Sequence, residues 1–296
     1  MDNNNGFYQR FLGCDASVED AGVRVVLFGA PFDSTTSYRP GTRFASRTVR
    51  AESYGFETFS PYQEKDLAEL SVYDAGDLEL PIGDTGMVLD MISGFVSDVL
   101  GDGRIPVMVG GEHLVTLGAL RSAVLKYPEL NIIQFDAHAD LRDDYLGVGL
   151  SHATVMRRGW EITGPGKLFQ FGIRSGDADE FRFAADPSNG VRMRKFDFGG
   201  LESVISELKG KPVYLSVDLD VLDPSVFPGT GTPEAGGVGF SDLHEAVLAV
   251  CGSLDVIGAD INELAPNYDS SGASTAVACK LIREILICLS NGDGGN

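Results

Sequence analysis

The chain is short of positive charge. Lysine and arginine number 23 against 43 acids, a formal net charge of −20 over 296 residues. That balance argues against nucleic acid and anionic membrane surfaces as partners, and it is compatible with attracting a cationic small molecule. Cysteine is scarce too. Cys14, Cys251, Cys279 and Cys288 share no C-x-x-C or framework spacing, so they read as reduced thiols in a cytoplasmic protein. The longest apolar stretch, Ala273 to Leu289, is broken by Lys280, Arg283 and Glu284 and reads as a packed helix, not a membrane span. The opening Met-Asp-Asn-Asn-Asn-Gly lacks the charged-then-apolar pattern of a signal peptide. No repeat, low-complexity tract or linker interrupts the chain. Residues 1–296 therefore read as one domain, with 1–6 and the Gly/Asn/Asp-rich 290–296 expected to be flexible.

What is present is an ordinary globular composition, 43% hydrophobic and 22% charged, in a chain long enough for a substantial core. Strand-like runs recur near 24–30, 71–76, 105–110, 131–136, 168–173, 191–196, 212–218 and 255–261. Helical patterns fall between most of them. Asp84 to Leu100 carries Val88, Met91, Ile92, Phe95 and Val99 at helical spacing, and Glu112–Tyr127, Leu201–Leu208 and Ser241–Val250 are similar. Ser241, with Glu245 close behind, predicts a helix cap. Strands alternating with helices predict an α/β fold: three αβα layers around a mostly parallel eight-stranded sheet.

In such sheets ligands collect at the carboxyl ends of the strands, and the chemically capable residues fall there. Asp136, His138 and Asp140 follow Ile132–Phe135 at every second position, so an extended backbone would point all three the same way. Asp218 and Asp220 close the run Val213–Val217; His113 follows Val107–Gly111, and Glu263 lies just beyond Val256–Asp260. Four aspartates and two histidines are too many ligands for one ion but suit two divalent cations sharing bridging carboxylates. No thiolate lies nearby, which argues against structural zinc. Asp-x-His-x-Asp alone is also what a polar turn after a strand looks like; joined to Asp-x-Asp after another strand, the turn becomes the weaker reading.

Other positions carry two readings each. His152 is equally a surface residue or a proton donor, while His244 reads as a solvated helix residue without a role. Glycines in Gly110-Gly111-Glu112-His113 bring the backbone close to the sheet end or simply make a tight turn. The loop Pro228 to Glu234 lines a pocket or only closes a turn, and Arg39-Pro40-Gly41 is a turn by composition. Glu263 either pairs with a surface lysine or meets a cationic ligand.

Taken in order, the motifs resemble the ureohydrolase family of arginase, agmatinase and relatives, most closely its bacterial agmatinase branch. The resemblance rests on Pro31-Phe32-Asp33 with Arg39-Pro40-Gly41, Asp74-Ala75-Gly76-Asp77, Gly110-Gly111-Glu112-His113 and Phe135-Asp136-Ala137-His138-Ala139-Asp140-Leu141. It continues through Ser151-His152-Ala153-Thr154, Phe171-Gly172-Ile173-Arg174, Ser216 to Pro224, Gly229 to Glu234 and Asn262-Glu263-Leu264-Ala265-Pro266. It implies an arginase-like fold and two Mn²⁺ per subunit, one held by His113, Asp136, Asp140 and Asp218 and the other by Asp136, His138, Asp218 and Asp220. It further implies a metal-bridging hydroxide attacking a guanidinium carbon. Asp140 would steady the intermediate, His152 would shuttle protons, Glu263 would grip the guanidinium, and Thr232 would wall the pocket.

The implied reaction is hydrolysis of agmatine to putrescine and urea. The implied assembly is a homo-oligomer, a trimer or a pair of trimers. Two positions depart from the commonest pattern: Glu112 stands where Asp is usual, and Ala153 where Gly is usual. Leu141 to Leu150 lacks the Asn/Ser-rich loop with which arginases hold an α-amino acid, which favours a substrate without an α-carboxylate. The competing substrates are 4-guanidinobutyrate, 3-guanidinopropionate and formimino-glutamate. Arg39 and Arg43 keep that reading open, since a carboxylate substrate wants an added cation. An inactive metal-binding paralogue is the reading from another class, and the complete ligand set speaks against it.

Overall fold

A computed structural model describes residues 10–291. Ten strands and eight α-helices lie along them, alternating except where β2, β3 and β4 follow one another. The strands are β1 (Val25–Gly29), β2 (Phe59–Ser60), β3 (Lys65–Asp66), β4 (Val72–Asp77), β5 (Ile105–Val109), β6 (Asn131–Phe135), β7 (Leu168–Ile173), β8 (Arg192–Lys195), β9 (Pro212–Asp218) and β10 (Asp255–Asn262). The helices are α1 (Ala45–Ser53), α2 (Thr85–Gly101), α3 (Val115–Lys126), α4 (Val155–Thr163), α5 (Ala178–Ala185), α6 (Leu201–Leu208), α7 (Phe240–Ser253) and α8 (Ala273–Ser290).

Eight strands form one sheet in the order β4-β1-β5-β10-β9-β6-β7-β8, and every neighbouring pair is parallel. All eight coincide with the runs expected from sequence. Alternation along each strand sends successive side chains to opposite faces. Leu27, Val107 and Ile133 join the core beneath α1, α6, α7 and α8. Their neighbours Phe28, Met108 and Ile132 join the core beneath α2, α3 and α4. The sheet is thus covered on both faces, giving the three expected layers.

Sequence periodicity did not mark the nine-residue helices α1 and α4, the eight-residue α5 or the small β2–β3 hairpin. The equally short α6 was marked because it buries Leu201, Val204, Ile205 and Leu208 at helical spacing, whereas α1, α4 and α5 bury at most two large apolar side chains each. The expected Ser241 cap is corrected. α7 begins one residue earlier, at Phe240, and Asp242 accepts a hydrogen bond from the Gly239 N–H at 3.0 Å. His244 is likewise not solvated. It is buried on the inner face of α7, 3.9 Å from Glu284 and stacked on Phe240.

All four cysteines are free. No helix among the described residues is long and apolar enough to cross a membrane. Of the ends expected to be flexible, 1–6 and 292–296 lie outside the described residues; Ser290 closes α8.

Candidate metal centre

Four strands at the middle of the sheet, in the order β5-β10-β9-β6, supply the loops that carry the site. Adjacent strands lie about 4.8 Å apart, so groups leaving their carboxyl ends start out within reach of one another. His113 follows β5, Glu263 follows β10, Asp218 ends β9 with Asp220 in the turn just after it, and Asp136, His138 and Asp140 follow β6. Convergence is therefore a property of strand order as much as of motif.

The Asp136–Asp140 segment does not converge by the extended alternation expected of it. β6 stops at Phe135, and Asp140 lies in the left-handed region at φ 53°. The His138 N–H donates to Asp136 Oδ1 at 2.6 Å, while the Arg174 and Ser175 N–H groups donate to the Ala137 carbonyl at 2.8 and 2.9 Å. Met156 and Arg157, in the first turn of α4, donate to the Asp140 carbonyl at 3.1 and 3.0 Å. Those five bonds hold a conformation costly for a residue with a Cβ, a cost concentrated where the side chain is needed. Asp218 and Asp220 meet through a similar local turn, the Asp220 N–H donating to Asp218 Oδ1 at 2.9 Å.

The two glycines before Glu112 are required by close approach. A Cβ on Gly110 would fall 1.8 Å from Asn262 Oδ1, and one on Gly111 would fall 1.9 Å from the Phe32 carbonyl oxygen. That tight packing sets His113 beside β10. There the His113 N–H donates to Glu263 Oε1 at 2.7 Å.

The six expected ligands gather in one buried cluster. His113 Nδ1 lies 3.0 Å from both Asp136 Oδ2 and Asp140 Oδ2, and 3.4 Å from Asp218 Oδ2. His138 Nδ1 lies 2.9 Å from Asp220 Oδ2 and 3.7 Å from Asp136 Oδ1. Two triads of ligand atoms, His113/Asp136/Asp140 and Asp136/His138/Asp220, each fit within 4.8 Å and share Asp136. Asp218 adjoins the first triad without completing either one.

The donor set suits divalent cations. His113 Nδ1 is buried and makes no hydrogen bond of normal geometry, although three carboxylates face it. Its other nitrogen, Nε2, is 2.9 Å from Ser216 Oγ, which donates to Asp260 Oδ1 at 2.7 Å. That chain leaves Nδ1 as the nitrogen able to bind a cation, an outer-shell arrangement common at metal-bound imidazoles. Like charges are crowded together here. Burial first, and the Asp136 charge second, push the Asp140 carboxyl up to about 7. Burial, then Asp220 and Asp136, push Asp218 well above the carboxylate range. Burial works against protonation of His113, but Asp136 and Asp140 outweigh it and raise its imidazole well above the ordinary value. Carboxylates crowded this closely, two of them pushed up by burial and by one another, form a cluster that cations can neutralise.

The cluster opens into a cavity of about 210 Å³ lined by His113, His138, Asp140, Asp218, His152, Thr232 and Glu263, among others. His152 stands on its wall. Its Nε2 is 3.4 Å from Ser37 Oγ, and the Tyr145 ring meets it edge-on at 5.6 Å. Burial first, and charge at His138 second, hold His152 down at about 4. Burial, then Asp220 and Glu112, push Glu263 well up. Thr232 Oγ1 donates to Asp220 Oδ2 at 3.3 Å.

Three contributors were not singled out from sequence. Ser216 shares a strand face with Asp218, two positions on, and that spacing is the signal that marks it. Glu234 Oε1 accepts from Ser175 Oγ at 2.9 Å and lies 4.0 Å from His138 Nε2. Arg142 lines the cavity and pairs with Glu180 and Asp177 at 3.3 and 3.6 Å.

Comparison with known proteins covers nearly the whole chain. The Arginase family model matches residues 23–288. An agmatinase of Bacillus anthracis is 43% identical over 279 residues, 94% of this chain and 95% of that one. An agmatinase of Bacillus subtilis is 46% identical over 264 residues, 88% of this chain and 90% of that one. The solved agmatine ureohydrolase of Thermoplasma volcanium superposes with a TM-score of 0.86 at 32% identity, covering 95% of this chain and 94% of that one.

Proposed function

This chain belongs to the arginase family and is a ureohydrolase of it, and from that premise we propose that it hydrolyses agmatine to putrescine and urea with two manganese ions. One observation carries the reading: six candidate ligand side chains cluster at the carboxyl edge of the sheet, and four of them, His113, His138, Asp140 and Asp218, line one cavity together with Glu263. Similarity to the two Bacillus agmatinases supports the choice of substrate.

His113, Asp136, Asp140 and Asp218 would hold one ion, and Asp136, His138, Asp218 and Asp220 the other. Bound there, the ions would supply Lewis acidity, neutralising the carboxylates and favouring deprotonation of a water at the site. The chain's own groups do the rest. Glu263, with one oxygen fixed by the His113 N–H, would face the guanidinium, whose positive charge offsets the neighbouring acids that push the carboxyl up and favours its ionised form. Thr232 closes the wall beside Asp220. His152 is neutral near pH 7, because burial holds it at about 4. It would therefore act as a relay, taking at Nε2 the proton given up by the attacking water and releasing it to the departing amine.

The cations near the mouth bear on the rival substrates. Arg43 pairs with Asp33, and Arg39 donates to the Thr230 carbonyl while lying 4.3 Å over the Tyr268 ring. Neither lines the cavity, and Arg142, which does, already faces two acids. A substrate carboxylate would have to compete with Asp177 and Glu180 for that guanidinium; an ammonium would not. Urea release with added Mn²⁺ tests the reading. Agmatine should be turned over far faster than 4-guanidinobutyrate; the reverse order would transfer the assignment to a guanidino acid.

A further inference from the structure

Beneath the cluster lies a second layer of polar groups that the proposed chemistry does not use. Gln134 and Gln170 are neighbours in register on β6 and β7, and both are fully buried. Gln134 Nε2 donates to Asp136 Oδ2 at 2.6 Å. Gln170 Nε2 donates to Gln134 Oε1 at 2.6 Å and to the Ala139 carbonyl at 2.7 Å. Buried amides are costly unless paired, and Gln170 Oε1 has no partner at all.

The network runs in one direction only. Turning the Gln170 amide over would set its oxygen against two other oxygens, Gln134 Oε1 and Ala139 O. Turning Gln134 would oppose its oxygen to the Asp136 carboxylate. Each orientation thus forces the next, and the relay ends as an N–H aimed at the oxygen of Asp136 that also faces His113. Its other branch ends on the carbonyl that precedes the left-handed Asp140.

We propose that Gln134 and Gln170 act as a positioning pair for the metal cluster, fixing the rotation of Asp136 and the turn that delivers Asp140. The proposal rests on the metal reading above and adds two residues to it. Neither amide touches the cavity, so their effect is on cation affinity and not on substrate contact. Gln134 orients the shared carboxylate directly, and Gln170 acts through Gln134 and Ala139.

Mn²⁺ titration of the metal-free full chain, followed by calorimetry, tests this without reference to turnover. Gln134→Leu should weaken Mn²⁺ binding by about 10- to 100-fold, the usual effect of removing an outer-shell partner. Gln170→Leu should cost less, since Asp136 keeps its donor. The double variant should lose less affinity than the sum of the two single losses, because the two amides act in series. Gln134→His, which keeps a ring N–H for Asp136, should recover part of the affinity and shows whether loss comes from the donor or from the packing.

Unchanged affinity in folded Gln134→Leu overturns the positioning role and leaves the metal reading intact. Strictly additive losses overturn the relay between the two amides. Wild-type protein that takes up no Mn²⁺ overturns the metal reading, and the pair's role with it.

Discussion

Glu263 Oε1 accepts the backbone N–H of His113 at 2.7 Å, so the acid assigned to the substrate is tied to the chain that carries a metal ligand. Glu263 itself lies in the left-handed region at φ 65°, and its own N–H donates to the Gly111 carbonyl at 3.0 Å. Two strands, β5 and β10, are thereby laced together just where cation site and guanidinium site must keep a fixed separation. Proximity of this kind is what converts binding into rate.

Glu263→Gln preserves an oxygen for the His113 N–H but removes the charge. A charge-assisted hydrogen bond is worth about 1.5–3 kcal/mol, so kcat/KM for agmatine should fall on the order of 100-fold. Steady-state kinetics beside metal analysis checks this. Loss of Mn²⁺ in the variant would mean that Glu263 serves the cluster and not the substrate.

Asp136 contributes to both ligand triads, and Asp218 sits 3.4 Å from His113 Nδ1. If both carboxylates bridge, Asp136→Asn or Asp218→Asn should bring metal content from about two per subunit to below about one, because each substitution weakens both sites together. Elemental analysis after dialysis measures it. Two ions retained in Asp218→Asn would reduce that residue to a neighbour of the first site, as its place outside the triads would then suggest.

His152→Phe keeps the ring that Tyr145 meets edge-on and removes the relay nitrogens. General acid–base groups contribute about 10²- to 10⁴-fold, so kcat should drop by roughly 100-fold or more with both metals in place. Since burial holds the native imidazole at about 4, it does not titrate near neutrality. The ratio of wild-type to variant rates should therefore stay level from about pH 6 to 8. An inflection near the ordinary imidazole value would show that the ring is charged in the resting enzyme.

Most of the sheet was legible because its inner parallel strands leave short, fully buried apolar runs, such as β1, β6 and β7; the edge strand β8, Arg-Met-Arg-Lys, is exposed and carries no such run. The cluster was legible for a different reason: few structures other than a cation site set acids and histidines after four neighbouring strands. Alternation was right within strands, where Gln134 shares a face with Asp136 and Ser216 with Asp218. It failed beyond β6, where Asp140 takes a left-handed turn that only the α4 N–H groups and the Ala137 contacts can sustain. Those partners lie far along the chain, and no local pattern announces them. Burial of a polar side chain is equally non-local. His244 sits at a position that reads as solvated, yet α8 and the β2–β3 hairpin close over it.

What closes over His244 is organised by Glu284, and that arrangement makes the last prediction. Glu284 is fully buried and accepts from Ser60 Oγ at 2.6 Å, Gln63 Nε2 at 2.8 Å and Arg283 Nη2 at 2.6 Å. Burial alone would raise its carboxyl, but His244, Ser60, Gln63 and Arg283 together outweigh burial and hold it at about 2. A carboxyl depressed on folding stabilises the native state fully above its unfolded value, near 4.3, and loses that contribution as pH falls toward about 2. Glu284→Gln should therefore cost on the order of 2–3 kcal/mol at neutral pH, read as a lowered Tm. The gap between variant and wild type should narrow steadily below about pH 4.5 and nearly close by about pH 2. The sign of that convergence is the decisive feature. If Glu284 were instead a carboxyl raised by burial, the variant would gain relative to wild type as pH rose, and the two melting curves would separate in the opposite direction.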